Sequence, residues 1–175
     1  MQILIAEDEK DIAYTYREAL ENIGHNVTIV DNGEECVTIY SSKLRRPERK
    51  YGKAVSSPFD IVILDYKIPK KDGIEVAEQI LQWNPNQRII FASAFVMETL
   101  LDYVKYLKRP VELIQKPFEV EALLKIIEDK EIFDSVKNIS DIAKRIKNVK
   151  NPSKSEIREL LGALNKAQKG KGFIY

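Results

Sequence analysis

The first 130 residues of the chain specify an α/β fold, a doubly wound parallel sheet of five strands with helices on both faces. Three observations predict it. Five short apolar runs alternate with five segments of helical apolar spacing, the order that builds a parallel sheet from strand–helix–strand units. One run, Ile61-Val62-Ile63-Leu64, is aliphatic throughout and lies between Ser57-Pro58 and Pro69-Lys70-Lys71-Asp72-Gly73. That pattern suits a short strand buried on both faces. Right-handed crossovers then place helices on either side of the sheet.

Taken in order, Ile3-Leu4-Ile5-Ala6 is the first strand and runs into Glu7-Asp8-Glu9. Ile12, Tyr16, Ala19, Leu20 and Ile23 recur at helical spacing, and Gly24 closes that helix. Val27-Thr28-Ile29-Val30 is the second strand, and a helix with Cys36, Val37 and Tyr40 begins at Gly33. It has room to run to Arg46, where Pro47 would stop it. The third strand ends at Leu64, and Asp65 follows directly. Ile74, Ala77, Ile80 and Leu81 mark the third helix, which Asn84-Pro85 stops. Arg88 to Ser93 is the fourth strand, residues 97–108 a fourth helix, Val111 to Gln115 the fifth strand. Val120, Leu123, Leu124 and Ile127 mark the last helix.

The connection from Tyr40 to Phe59 exceeds the usual two to about six residues between helix and strand. Residues 41–58 hold six basic side chains against one acid. They could dock an anionic partner or form a solvated insertion, which costs little entropy.

At 175 residues the chain suits one average domain with a small appendage. With 44% apolar and 31% charged residues it can bury a core. No stretch approaches the length of a membrane span, so no membrane partner is expected, and the start does not read as a signal peptide. The single cysteine, Cys36, excludes an internal disulfide or a multi-cysteine metal site, and its helical position predicts a reduced core thiol. These features point to the cytoplasm.

Four predicted strands end in reactive side chains: Glu7-Asp8, Asp65, Ser93 and Lys116. In a parallel sheet such ends share one edge, where these folds place their ligands. Singly, each has a plain alternative: turn residue for Asp65, helix cap for Asp8, strand-end polar for Ser93, solvated turn for Lys116. Together they form a chemical set. Three neighbouring carboxylates repel one another and need a cation to stay ionised. Oxygen-only ligands favour a hard ion such as Mg²⁺. Asp65 can then act as a nucleophile toward an activated phosphoryl group, with Lys116 offsetting charge on its oxygens and Ser93 donating to one of them.

Glu7-Asp8, Asp65 with Pro69 and Gly73 after it, Ser93-Ala94 and Lys116-Pro117-Phe118 resemble the receiver domain of two-component response regulators. The resemblance covers residues 1–129 and implies the flavodoxin-like strand order 2-1-3-4-5, for which a receiver domain is a standard example. It implies that Asp65 accepts a phosphoryl group from a histidine kinase or phosphotransfer protein. It also implies that Glu7, Asp8, Asp65 and the backbone carbonyl of Lys67 ligate Mg²⁺. Such a chain is a signalling protein, at most phosphorylating itself from small donors and dephosphorylating itself. Two departures stand out. Leu113 occupies a position usually aromatic in the family, with Tyr103 or Tyr106 as substitutes, and the 41–58 insertion is long.

A phosphatase of the haloacid dehalogenase type also forms an aspartyl phosphate at a strand end. It uses Asp-x-Asp, and here the second acid is replaced by Lys67. A histidine kinase is excluded, since the only histidine, His25, lies in a Gly-His-Asn turn and no glycine-rich ATP loop is present.

Residues 1–130 carry 18 Lys/Arg and 22 Asp/Glu, a net of −4, whereas residues 131–175 carry 10 and 5, a net of +5. The second segment is read as a basic helical extension. Ile132, Val136, Ile139, Ala143 and Ile146 keep helical spacing, and Ile157, Leu160, Leu161 and Leu164 follow a Ser153-Lys154-Ser155-Glu156 cap signal. Three readings stay open: a homodimer or partner helix, a minimal helix-turn-helix contacting DNA, or packing on the receiver. Against the second, Lys147 to Lys154 is long for such a turn and contains Pro152.

Overall fold

Apolar residues alternate between two faces along the first strand, and both faces find helices to cover them. In the computed structural model, which describes residues 1–44, 57–94, 107, 109 and 111–129, the strands are β1 (Gln2–Ala6), β2 (Asn26–Val30), β3 (Ile61–Leu64), β4 (Arg88–Ser93) and β5 (Glu112–Gln115). All pairs are parallel, in the order β2-β1-β3-β4-β5. The predicted fold class and strand order are therefore the observed ones. The described helices are α1 (Lys10–Asn22), α2 (Gly33–Lys43), α3 (Gly73–Trp83) and α4 (Val120–Glu128).

Leu4, Ala6, Val62, Leu64 and Phe91 join one core with Tyr40 of α2 and Ile80 of α3. Ile3, Ile5, Ile61, Ile63 and Ile90 join the other with Tyr16 and Leu20 of α1 and Leu123 and Ile127 of α4. Successive strand residues point to opposite faces, so an aliphatic run is required wherever both faces are covered. Ile61–Leu64 meets that requirement.

Local chemistry sets the helix starts. The Asn32 side chain accepts from Glu35 N at 2.9 Å at the start of α2. Asp72 and Glu75 form a reciprocal capping box at α3, with Glu75 N donating to Asp72 Oδ1 at 2.9 Å and Asp72 N to Glu75 Oε2 at 3.1 Å. Gly24, at φ 84°, turns the chain after α1 as expected.

One boundary differs. α2 stops at Lys43 and does not reach Arg46, because Leu44 is extended (φ −70°, ψ 107°) and packs against the first core. Ser41 and Ser42 hydroxyls donate to carbonyls three residues back, at 3.0 and 2.8 Å, which competes with continued helix. Cys36 is a buried free thiol, as expected. The expected 97–108 helix (apart from buried Leu107), most of the 41–58 insertion, Tyr103, Tyr106 and the 131–175 extension lie outside the described residues. Among the described residues, no helix is long and apolar enough to cross a membrane.

Candidate functional site

The C-terminal ends of β1, β3, β4 and β5 bring the predicted residues to one edge. Glu7 directly follows β1, and its N–H donates to Val30 O at 3.0 Å, extending the β1–β2 ladder by one bond. Asp65 follows β3, its N–H donating to Ala6 O at 2.9 Å. Ser93 is the buried last residue of β4, and Lys116 N donates to its carbonyl at 2.8 Å. Three backbone bonds between parallel strands thus anchor all four residues, so side chains far apart in sequence are held at fixed spacing.

The Lys116 ammonium spans two of the acids, 2.6 Å from Glu7 Oε2 and 2.8 Å from Asp65 Oδ2. Its side chain is only 9% exposed, so it is not a solvated turn residue. Burial alone would lower its pKa, but the bonds and charges of Asp65 and Glu7 outweigh burial and raise it. Burial pushes Glu7 up to about 6 against the opposing pull of Lys116, with the Asp65 charge adding to the rise.

Asp8 is exposed and does not cap α1, whose N-cap residue is Glu9. Its carboxylate is free to join Glu7 and Asp65, with one oxygen of each lying within 4.8 Å of the others. Glu7 Oε1 is buried and accepts no hydrogen bond. An oxygen-only acidic set with an unsatisfied buried oxygen fits a hard divalent cation.

The turn after Asp65 is held by close backbone approaches. Lys67 N donates to Asp65 Oδ1 at 3.2 Å, and Gly73 N to Tyr66 O at 2.9 Å. A Cβ at Gly73 would lie 2.3 Å from Asp65 O, and one at Gly33 2.0 Å from Lys71 O. Both glycines are therefore required by the turn that follows Asp65, and Lys70 takes φ 68° within it. Sequence reading did not single out Gly33 for this role or Asp72 as a cap. The Asp72-Gly-Ile-Glu75 spacing was the available signal for the second, while the first has none short of the fold. Leu113 is buried in the first core and pairs with Phe91 across β4 and β5, so an apolar side chain fills the position in place of an aromatic one.

The sequence model of the response regulator receiver domain matches residues 3–128. The response regulator receiver protein CpdR of Brucella abortus (strain 2308) is 29% identical over 127 residues, covering 73% of this chain and 93% of CpdR. The transcriptional regulatory protein RprY of Bacteroides fragilis (strain YCH46) is 25% identical over 150 residues, covering 82% of this chain and only 57% of RprY. Among solved structures, the CheX-CheY-BeF3-Mg²⁺ complex from Borrelia burgdorferi matches with a TM-score of 0.60 and 26% identity, over 73% of this chain and 86% of that one. A match running through all five strands and to the end of α4, on a sheet of the order the motifs implied, decides the matter: the chain belongs to the response regulator receiver domain family.

Proposed function

We propose that the chain is a phospho-accepting response regulator in which Asp65 takes a phosphoryl group from the phosphohistidine of a histidine kinase or phosphotransfer protein. One observation carries the reading: the Lys116 ammonium lies against the carboxylate that ends the central strand and against its acidic neighbour. An Asp65 carboxylate oxygen forms the bond to phosphorus. The bond from phosphorus to the donor imidazole nitrogen breaks, and its electron pair leaves with the imidazole. Lys116 offsets charge on the transferring oxygens, and Ser93 donates to one of them once it is in place. Glu7, Asp8, Asp65 and the carbonyl of Lys67 are the residues that would hold Mg²⁺, which when bound supplies positive charge against the phosphoryl oxygens. The related complex from Borrelia burgdorferi contains BeF3 and Mg²⁺, in keeping with such a site.

Residues 1–130 are the proposed receiver and 131–175 the proposed output, acting through helical self-association. A DNA-contacting output is the second reading, favoured by the net charge of +5 in that segment.

Intact-mass analysis with a small-molecule phosphodonor tests the acceptor. One phosphoryl group should add to the wild type with Mg²⁺, and none to Asp65→Asn or without metal. Uptake persisting in Asp65→Asn would remove Asp65 from the role.

A further inference from the structure

Between Lys116 and the start of α4 the chain has one apolar anchor, Phe118, and that anchor is met by an aromatic ring from another element. Tyr16 of α1 stacks on Phe118 with ring centroids 5.5 Å apart and planes 14° from parallel. Tyr16 is 6% exposed and belongs to the second core, against which half-buried Phe118 packs. The residues on either side of Phe118, Pro117 and Glu119, are exposed.

α1 begins immediately after Glu7-Asp8-Glu9, and Phe118 lies two residues after Lys116. The stack therefore fastens the helix that leaves the acidic turn to the turn that carries the lysine. On the strand side Lys116 is already fixed by its N–H bond to Ser93 O, at 2.8 Å. With Phe118 also held, the lysine is anchored from both directions, and its long side chain is limited to the line between Glu7 and Asp65. Burial pushes the Tyr16 hydroxyl up to about 12, so the ring stays neutral at physiological pH and adds no charge to the site.

We propose that Tyr16 is a positioning residue for phosphoryl transfer, its ring holding Phe118 so that the Lys116 ammonium stays aimed between Glu7 and Asp65. The proposal rests on the phosphoryl-transfer reading above. It separates two parts of the site: Glu7 and Asp65 directly follow β1 and β3 and are held there by their own backbone bonds without the stack, whereas the lysine side chain depends on it.

The test uses the full chain, with a small-molecule phosphoramidate donor followed by intact mass and Mg²⁺ binding followed by calorimetry. Tyr16→Leu keeps apolar volume but removes the stack, and should slow initial phosphoryl uptake about tenfold, since small misplacements of a catalytic group are costly. Its Mg²⁺ affinity should stay within about twofold of wild type, because the acids are anchored independently. Tyr16→Phe should restore the rate, and Phe118→Leu should reproduce the slow uptake from the other side of the stack. In metal-free protein the ¹⁵Nζ resonance of Lys116 should move toward that of a free lysine in both Leu variants and stay in place in Tyr16→Phe.

Wild-type uptake in both Leu variants, an equal loss of Mg²⁺ affinity, or a Tyr16→Phe as slow as Tyr16→Leu would overturn the positioning role. A wild type that takes up no phosphoryl group would defeat the functional reading instead. The Lys116 resonance would then still decide the positioning, upholding it if it shifts and overturning it if it does not.

Discussion

Arg88 and Glu112 form a two-pronged buried ion pair at the sheet edge opposite Asp65, with Nε–Oε2 at 2.7 Å and Nη2–Oε1 at 2.8 Å. The guanidinium also donates to the carbonyls of Ile126 and Ile127, at 2.5 and 2.9 Å, near the end of α4 where a helix leaves acceptors unpaired. Arg88→Met should destabilise the protein by about 3–5 kcal/mol in urea unfolding, because it strands a buried carboxylate. Adding Glu112→Leu should recover most of that loss. A single variant within experimental error of wild type would show that water reaches the pair.

Asp8 contributes an exposed carboxylate to a cluster with few protein ligands. Asp8→Ala should weaken Mg²⁺ binding about tenfold or more, as even indirect partners of metal ligands are worth that much. Calorimetry reads this directly, and unchanged affinity would place the metal elsewhere.

Burial pushes the Cys36 thiol up to about 12. A neutral, enclosed thiol is inert, so alkylation at pH 8 should proceed only as fast as the protein unfolds and become rapid in denaturant. The sign for stability follows from the same shift. The unfolded thiol ionises near 9 and the native one near 12, so wild-type stability relative to Cys36→Ala should decline as pH rises above 9. A gap constant from pH 8 to 10.5 would contradict the burial of the thiol.

The family match ends at residue 128, before the 131–175 segment begins. Truncation after Lys130 should therefore leave a folded monomer that still accepts phosphoryl groups, while the full chain dimerises in light scattering. Short amphipathic helices need a surface to cover. If the extension reads DNA instead, binding should weaken steeply with salt while a preferred sequence survives. A full chain that is monomeric in both phosphorylation states, with no DNA preference, would leave the extension as packing on the receiver.

Strand order, the order of the described helices, the site edge and Cys36 burial were legible in the chain because each depends on local patterns. Ile61–Leu64 is apolar at every position between turn residues, which suits a short strand covered on both faces, and Asp65 directly follows it. The acids of β1, the acid of β3 and the lysine after β5 converge because parallel strands align their ends, a consequence of topology that periodicity already implied. Other relationships depend on distance across the fold. Arg88 and Glu112 are separated by 24 residues, and nothing near either in sequence says that they meet or that helix carbonyls complete the set. Tyr16 reads as one more apolar position on α1, and only packing shows its ring flat against Phe118. Gly33 reads as a helix start, and only the approach of Lys71 O shows why no side chain fits there. Periodicity is carried by neighbours in the chain and is visible in it. Pairing of buried charges, ring stacking and backbone crowding are set by elements that meet only after the sheet has formed, so tertiary structure alone decided them.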